Sequence, residues 1–194
     1  MIRRQAESNV HMLLLASTAA LLLVLPFVTT FDEFLTRGAQ HFGFVQAIQV
    51  VVPGEVRMVV TVLGLLGVHS VASGSTLFVW HSGVLQPVYI SWNCLGWQSF
   101  ILFAISLAMG IRAAGSWESR IQLVLIGAIG TFFVNLIRMV GVAWLAASAG
   151  HMPALLFHDY GGTLLTVMWL FAFWIGAYRW LLPAESSEEL EMAS

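Results

Sequence analysis

The sequence predicts an all-α integral membrane protein with about four spanning helices, outer interfacial or re-entrant helices and a small outer hairpin. Three observations carry that expectation. The 194 residues are 59% apolar and only 9% charged, with a mean hydropathy of +0.86, far from the roughly 25% charge of soluble domains. Apolar runs close to the roughly 20 residues needed to cross a bilayer recur along the chain. The arginines, finally, collect on one side when those runs are threaded through a membrane. A single transmembrane domain over residues 1–182 accounts for all of this, followed by a tail at 183–194. The net charge of −2, with no cluster of basic residues, leaves no surface for nucleic acid.

Taken in order, Arg3 and Arg4 precede an apolar run from Met12 to Val28, like the charged and apolar regions of a secretory signal. No small-x-small cleavage site follows Leu25-Pro26-Phe27, so a retained anchor is expected, with the first span at about 11–30. Further spans are expected at about 94–111, 121–147 and 158–182. The run Met58–Val68 is broken early, by His69, Ser70, Ser73, Gly74 and Ser75. With four spans and the N-terminus inside, Arg3, Arg4, Arg112, Arg120 and Arg179 lie inside, and only Arg37 and Arg57 lie outside. Were Met58–Val68 to cross, Arg112 and Arg120 would move outside and the bias would vanish. Residues 31–93 are therefore expected outside, with interfacial or re-entrant helices at 42–52 and 57–67. In 75–93, aromatic and β-branched residues flank Ser82-Gly83, the pattern of a hairpin that leads the chain to Cys94. The tail carries Glu185, Glu188, Glu189 and Glu191 and is expected to be disordered. Both termini are then cytoplasmic in a multi-pass protein of the cell membrane.

One charge lies deep in the third span. Arg138, within Phe133-Val134-Asn135-Leu136-Ile137-Arg138-Met139-Val140, costs at least ~2.5 kcal/mol on insertion scales, so it should face protein or a wet cavity. Asn135 shares its helix face one turn earlier. Cys94 is the only cysteine and opens the second span; His158 and Asp159 open the fourth. This topology puts Cys94, Arg138 and His158 in one half of the membrane. A free thiol is a poor nucleophile until a cation or a helix N-terminus stabilises the thiolate. Arg138 and the start of the second span are available for that, and His158 can take the thiol proton and return it to a leaving amine. Arg138 can equally hold the oxyanion of a tetrahedral intermediate, and the residues alone do not choose between these roles. His151, in Ala149-Gly150-His151-Met152-Pro153, is the alternative base; His41, His69 and His81 sit in no motif. The histidines lack i, i+4 pairing and carboxylate partners, so no metal and no cofactor is expected. Most tryptophans read as interfacial belt or packing.

The order Cys94-x-Gly96, Asn135-x-x-Arg138 and His158-Asp159-Tyr160-Gly161-Gly162 resembles the exosortase/archaeosortase family of membrane cysteine transpeptidases. The resemblance runs over about residues 57–165. The exosortase branch usually shows Cys-Ser-Gly where this chain has Cys94-Leu95-Gly96, and Gly96-Trp97-x-Ser99 together with the His158 motif look closer to the archaeosortase side. It implies Cys94, Arg138 and His158 as catalytic residues, with Asn135, Asp159 and Gly96 in support. The implied substrate is a secreted protein with a C-terminal sorting signal: a short motif, a transmembrane helix and a basic end. Cleavage at the outer surface through a Cys94 thioester would pass the protein to a lipid or another envelope acceptor. Small residues on the third span, Gly127, Ala128 and Gly130, offer that substrate helix a lateral dock among the membrane lipids. Two other classes compete: a non-catalytic assembly factor that holds such a helix, and a small transporter subunit organised around Arg138. Transport sites favour broken helices near the midplane, and the third span has no proline.

Overall fold

The computed structural model describes residues 33–181, and the chain divides into two compact units, Met1–Phe44 and Val45–Ser194. The span expected at 11–30 and the acidic tail lie outside the described residues. In the first unit, helix α1 covers residues 33–41, with an exposed Arg37–Glu33 pair at 3.4 Å. Gly43, at φ +74°, turns the chain out of it.

The second unit holds almost everything else. Helices α2 (Phe44–Gln49) and α3 (Val52–Leu65) follow each other through Val51, whose backbone stays right-handed helical. Pro53 falls in the first turn of α3, where its missing N–H breaks no intrahelical bond. Gly54 and Glu55 donate to Val51 O at 3.0 and 3.3 Å. Phe44–Leu65 is thus long and apolar enough to cross a membrane, where the sequence suggested two separate interfacial helices. Pro53 and Gly54 fall between the two expected helices, but in the first turn of a helix neither residue ends it. Both parts of this run are nonetheless held to the sheet described next: Gln49 Nε2 donates to Ser75 Oγ at 3.0 Å, and Leu63 packs in one core with Leu77 and Val79.

Strands β1 (Ser70–Ser73), β2 (Thr76–His81) and β3 (Val84–Tyr89) form an antiparallel sheet in that order. The expected turn at Ser82-Gly83 is present, with φ of 50° and 78°, the paired positive values of a tight two-residue hairpin. The additional strand, β1, is short and half serine, which hid it in the sequence. Leu77 and Val79, alternating on one face of β2, are fully buried against Val56, Val140 and Ala143. His81 Nδ1 meets Ala147 O at 2.7 Å and ties the end of β2 to the helix beneath.

After a tight turn at Trp92–Leu95 come α4 (Trp97–Gly110), α5 (Trp117–Ser148), α6 (His151–Leu156) and α7 (Gly162–Gly176). Ser116 caps α5 by accepting the Ser119 N–H at 3.1 Å, and Glu118 complements its positive end. Helix α6 continues into α7 through one wide π turn at Phe157–Gly161. Three runs long and apolar enough to cross a membrane result: Trp92–Gly110, Trp117–Ser148 and His151–Leu181. They match the expected second, third and fourth spans. With Phe44–Leu65 they make four such helices among the described residues, and the protein is an all-α membrane protein with a small sheet.

A second core joins α4, α5 and α7 through Phe103, Leu123 and Phe173. It corrects one expectation. A methyl group on Gly127 would lie 2.1 Å from Phe103 Cζ, and one on Gly130 would lie 2.0 Å from Trp169 Cζ2. The small residues of α5 are thus filled by the protein's own aromatic rings, and they leave no notch there for a substrate helix. Three polar bonds stitch the same region: Ser99 Oγ to Thr166 Oγ1 at 3.1 Å, Trp169 Nε1 to Thr131 Oγ1 at 3.1 Å, and Trp174 Nε1 to Ser106 Oγ. Each satisfies groups that hydrocarbon would leave unpaired.

Candidate active site

Cys94 stands in the tight turn before α4, not in the first turn of the helix as its position suggested. Its own N–H bonds Ser91 O at 2.9 Å. Gly96, at φ +70°, then reverses the backbone and caps α4. The left-handed glycine explains the difference: it separates the turn from the helix, so the α4 amides begin beyond the thiol.

His158 approaches from the wide turn between α6 and α7. Its Nε2 lies 3.5 Å from Cys94 Sγ, and its Nδ1 lies 3.0 Å from Asp159 Oδ1. A carboxylate can only accept, so this contact assigns the Nδ1 proton and leaves the Nε2 lone pair toward the thiol. Adjacent residues on a regular helix diverge by about 100°. The wide turn is the local irregularity in which His158 and Asp159 meet, and such bulges recur at functional sites. Ser91 Oγ lies on another side of the sulfur at 3.5 Å.

Arg138, half-buried on α5, donates from Nη2 to the His158 carbonyl at 3.1 Å. It reaches that far because Gly162 has no side chain: a methyl group there would lie 2.1 Å from Arg138 Nε. Asn135, one turn earlier and buried, donates from Nδ2 to the Cys94 carbonyl at 3.1 Å and to Glu55 Oε1 at 3.0 Å. The contact is close because Gly96 also lacks a side chain, whose first carbon would fall 2.4 Å from Asn135 Cγ. Two residues of α5 therefore hold the two turns by their carbonyls, Asn135 the cysteine turn and Arg138 the histidine turn.

All six residues expected at the site, Cys94, Gly96, Asn135, Arg138, His158 and Asp159, come together. His151 does not join them; it is exposed at the start of α6, while His81 serves as the tie to α5. Glu55 was missed. It is 4% exposed, and its Oε2, like Asn135 Oδ1, is buried with no hydrogen-bond partner among the described residues. The signal that marks Arg138 marks it too: Glu55 is the only acidic residue between Glu33 and Glu118, and it sits in an apolar run. A small cleft opens onto the group, lined by Val88, Tyr89, Ile90, Cys94, Arg138, Met139, Val142 and His158. It has a thiol and an imidazole at one point, a guanidinium on the wall, and an otherwise mainly apolar lining.

Fold and site together define a membrane protein with a thiol and an imidazole in contact between helices at one end of the bundle. A family model described as transmembrane exosortase matches residues 8–175, and the chain belongs to that family. Its general role is that of a membrane transpeptidase in protein sorting, within a cysteine protease and transpeptidase group. Among curated proteins and solved structures, none matches the chain.

Proposed function

We propose that the protein cleaves the C-terminal sorting signal of secreted proteins through a Cys94 thioester and transfers them to an envelope or lipid acceptor. The observation that carries this reading is the Cys94 Sγ–His158 Nε2 contact at 3.5 Å with Asp159 behind the ring. His158 takes the thiol proton as Sγ bonds to the scissile carbonyl carbon, and Arg138, on the cleft wall, holds the oxyanion. This role for Arg138 is favoured over activating the thiolate, because its hydrogen bond runs to the His158 carbonyl and not to the sulfur. Collapse of the intermediate breaks the C–N bond; His158 returns the proton to the leaving amine, and the thioester remains. An acceptor amine or hydroxyl, deprotonated by His158, then displaces Sγ and restores the thiol. The test is a secreted reporter ending in a motif, a transmembrane helix and a basic end, taken from the protein's own host. Cys94→Ala should lower processing by at least about 10³-fold. With the native thiol, a reporter–enzyme adduct that hydroxylamine releases is expected. Unchanged processing by Cys94→Ala would sink the reading and favour a holding factor.

We place the site at the outer face. Cys94 precedes α4, Arg138 lies in the last third of α5, and His158 precedes α7, whereas Arg112, Arg120 and Arg179 lie at the opposite ends of those helices. Val84, 63% exposed beside the hairpin turn, reports this side. In a Cys94→Ala background, Val84→Cys should be labelled by a membrane-impermeant maleimide in intact cells. Labelling only after the membrane is opened would reverse the topology.

A further inference from the structure

We infer that the free edge of β3 is the docking strand for the substrate backbone, which it binds as an added fourth strand. The inference rests on the Cys94 reading and supplies what that reading lacks, a way to hold an extended chain across the cleft. The sheet order is β1-β2-β3, so β3 has a neighbour on one side only. The register pairs His81 with Val84, Val79 with Gln86 and Leu77 with Val88, and beyond the strand Ile90 N–H donates to Ser75 O at 2.9 Å. Antiparallel ladders alternate, so Val84, Gln86, Val88 and Ile90 turn their amides and carbonyls toward β2. Leu85, Pro87 and Tyr89 therefore turn theirs outward, where no backbone partner meets them among the described residues.

The same strand is a wall of the site: Val88, Tyr89 and Ile90 line the cleft with Cys94, Arg138 and His158. A chain paired with Leu85 and Tyr89 would have its backbone carried along the edge to the thiol. The edge is also stiff, because buried Leu77 and Val79 fix the neighbouring β2 to the core and His81 pins its end to α5, the helix that bears Arg138. Exposed edges invite uncontrolled pairing, and proline is a common way to blunt them. Here Pro87 removes the central outward donor and leaves the outward groups of Leu85 and Tyr89 on either side. An edge guarded in the middle and open at the end beside the nucleophile suits a short extended segment, with affinity from main-chain bonds. The occupant we assign is the stretch of substrate polypeptide around the scissile bond.

The test needs no knowledge of the sorting motif. The full-length protein in detergent is treated with a tetra-alanyl chloromethyl ketone, and alkylation of Cys94 is followed by intact mass relative to chloroacetamide. Two further probes carry N-methyl groups on alternate amides, one in each register. The expected result is a faster reaction for the unmodified peptide, with the advantage lost by about tenfold in one N-methyl register and kept in the other. Leu85→Pro, which removes an outward donor and spares the bonds to β2, should lower the peptide-to-chloroacetamide ratio about tenfold, and Pro87→Ala should raise it. If Leu85→Pro fails to fold, the paired N-methyl probes on the native protein decide alone. Equal sensitivity in both registers, or no advantage over chloroacetamide, overturns the edge-strand inference and leaves the thioester reading standing. Normal processing by Cys94→Ala would instead remove the reading on which it rests.

Discussion

On the proposed mechanism, Gly162→Ala is expected to remove most of the cleavage activity while leaving the protein folded. The added methyl group would fall 2.1 Å from Arg138 Nε and 2.6 Å from Cδ, atoms in the outer half of a flexible side chain. Arg138 can therefore swing aside at modest cost, about 1–3 kcal/mol by the usual scale of overpacking. Its position cannot survive the swing. The bond from Nη2 to the His158 carbonyl breaks, and the guanidinium leaves the cleft wall. A displacement on the order of 1 Å at a reacting centre costs about 10²-fold in rate. The expected outcome is kcat/KM down by about that factor with a melting temperature in detergent close to that of the native protein. A variant that melts early, or one that cleaves normally, would show that Gly162 does not hold Arg138 in register.

Gly96→Ala should do the opposite and damage the fold first. At φ +70° an L side chain costs roughly 1–2 kcal/mol, and the new carbon would lie 2.9 Å from Asn135 Cβ, an atom anchored to the α5 backbone. Asn135 cannot rotate away from a contact at its own root, and it carries the bonds to the Cys94 carbonyl and to Glu55. A loss of about 2–5 kcal/mol is expected, enough to reduce the yield of folded protein several-fold. The check is a second-site rescue: adding Asn135→Ala removes the contacts with Cγ and Oδ1 at 2.4 and 2.5 Å and leaves the one with Cβ, so it should recover part of the stability and none of the activity, since the Cys94 turn is then unheld. Full recovery of activity would mean that Asn135 serves only as packing.

These two glycines show where the sequence could be read and where it could not. Cys94 and Arg138 stood out because each is chemically improbable where it lies, a lone thiol at a helix entrance and a charge inside an apolar run. Their grouping with His158 followed from counting arginines on the two sides. Gly96 and Gly162 were visible as motif letters, but the reason for each is a contact with another helix, and no local pattern records that. The wide turn at Phe157–Gly161 left no mark either, since its composition suits an ordinary helix start. Gly127 and Gly130 failed in the other direction. A small residue on a helix states that something packs closely, not whether it is a partner or the chain's own Phe103 and Trp169. Glu55 was legible by the rule applied to Arg138, but it falls in the gap between the two helices expected at 42–52 and 57–67 and so was assigned to no helix face.

The three polar stitches between α4, α5 and α7 bear on how the bundle can move. Helices that repack during function often jump by one turn, about 5.4 Å, from one set of notches to the next. Here such a jump would tear Ser99 from Thr166, Trp169 from Thr131 and Trp174 from Ser106 together, and would drive the aromatic rings out of their glycine seats. Hydrocarbon supplies no water to take up the freed groups. The lower bundle is therefore a fixed chassis without gears. Under the proposed function, a polypeptide is then taken up and released along the β3 edge with every helix staying in its seat.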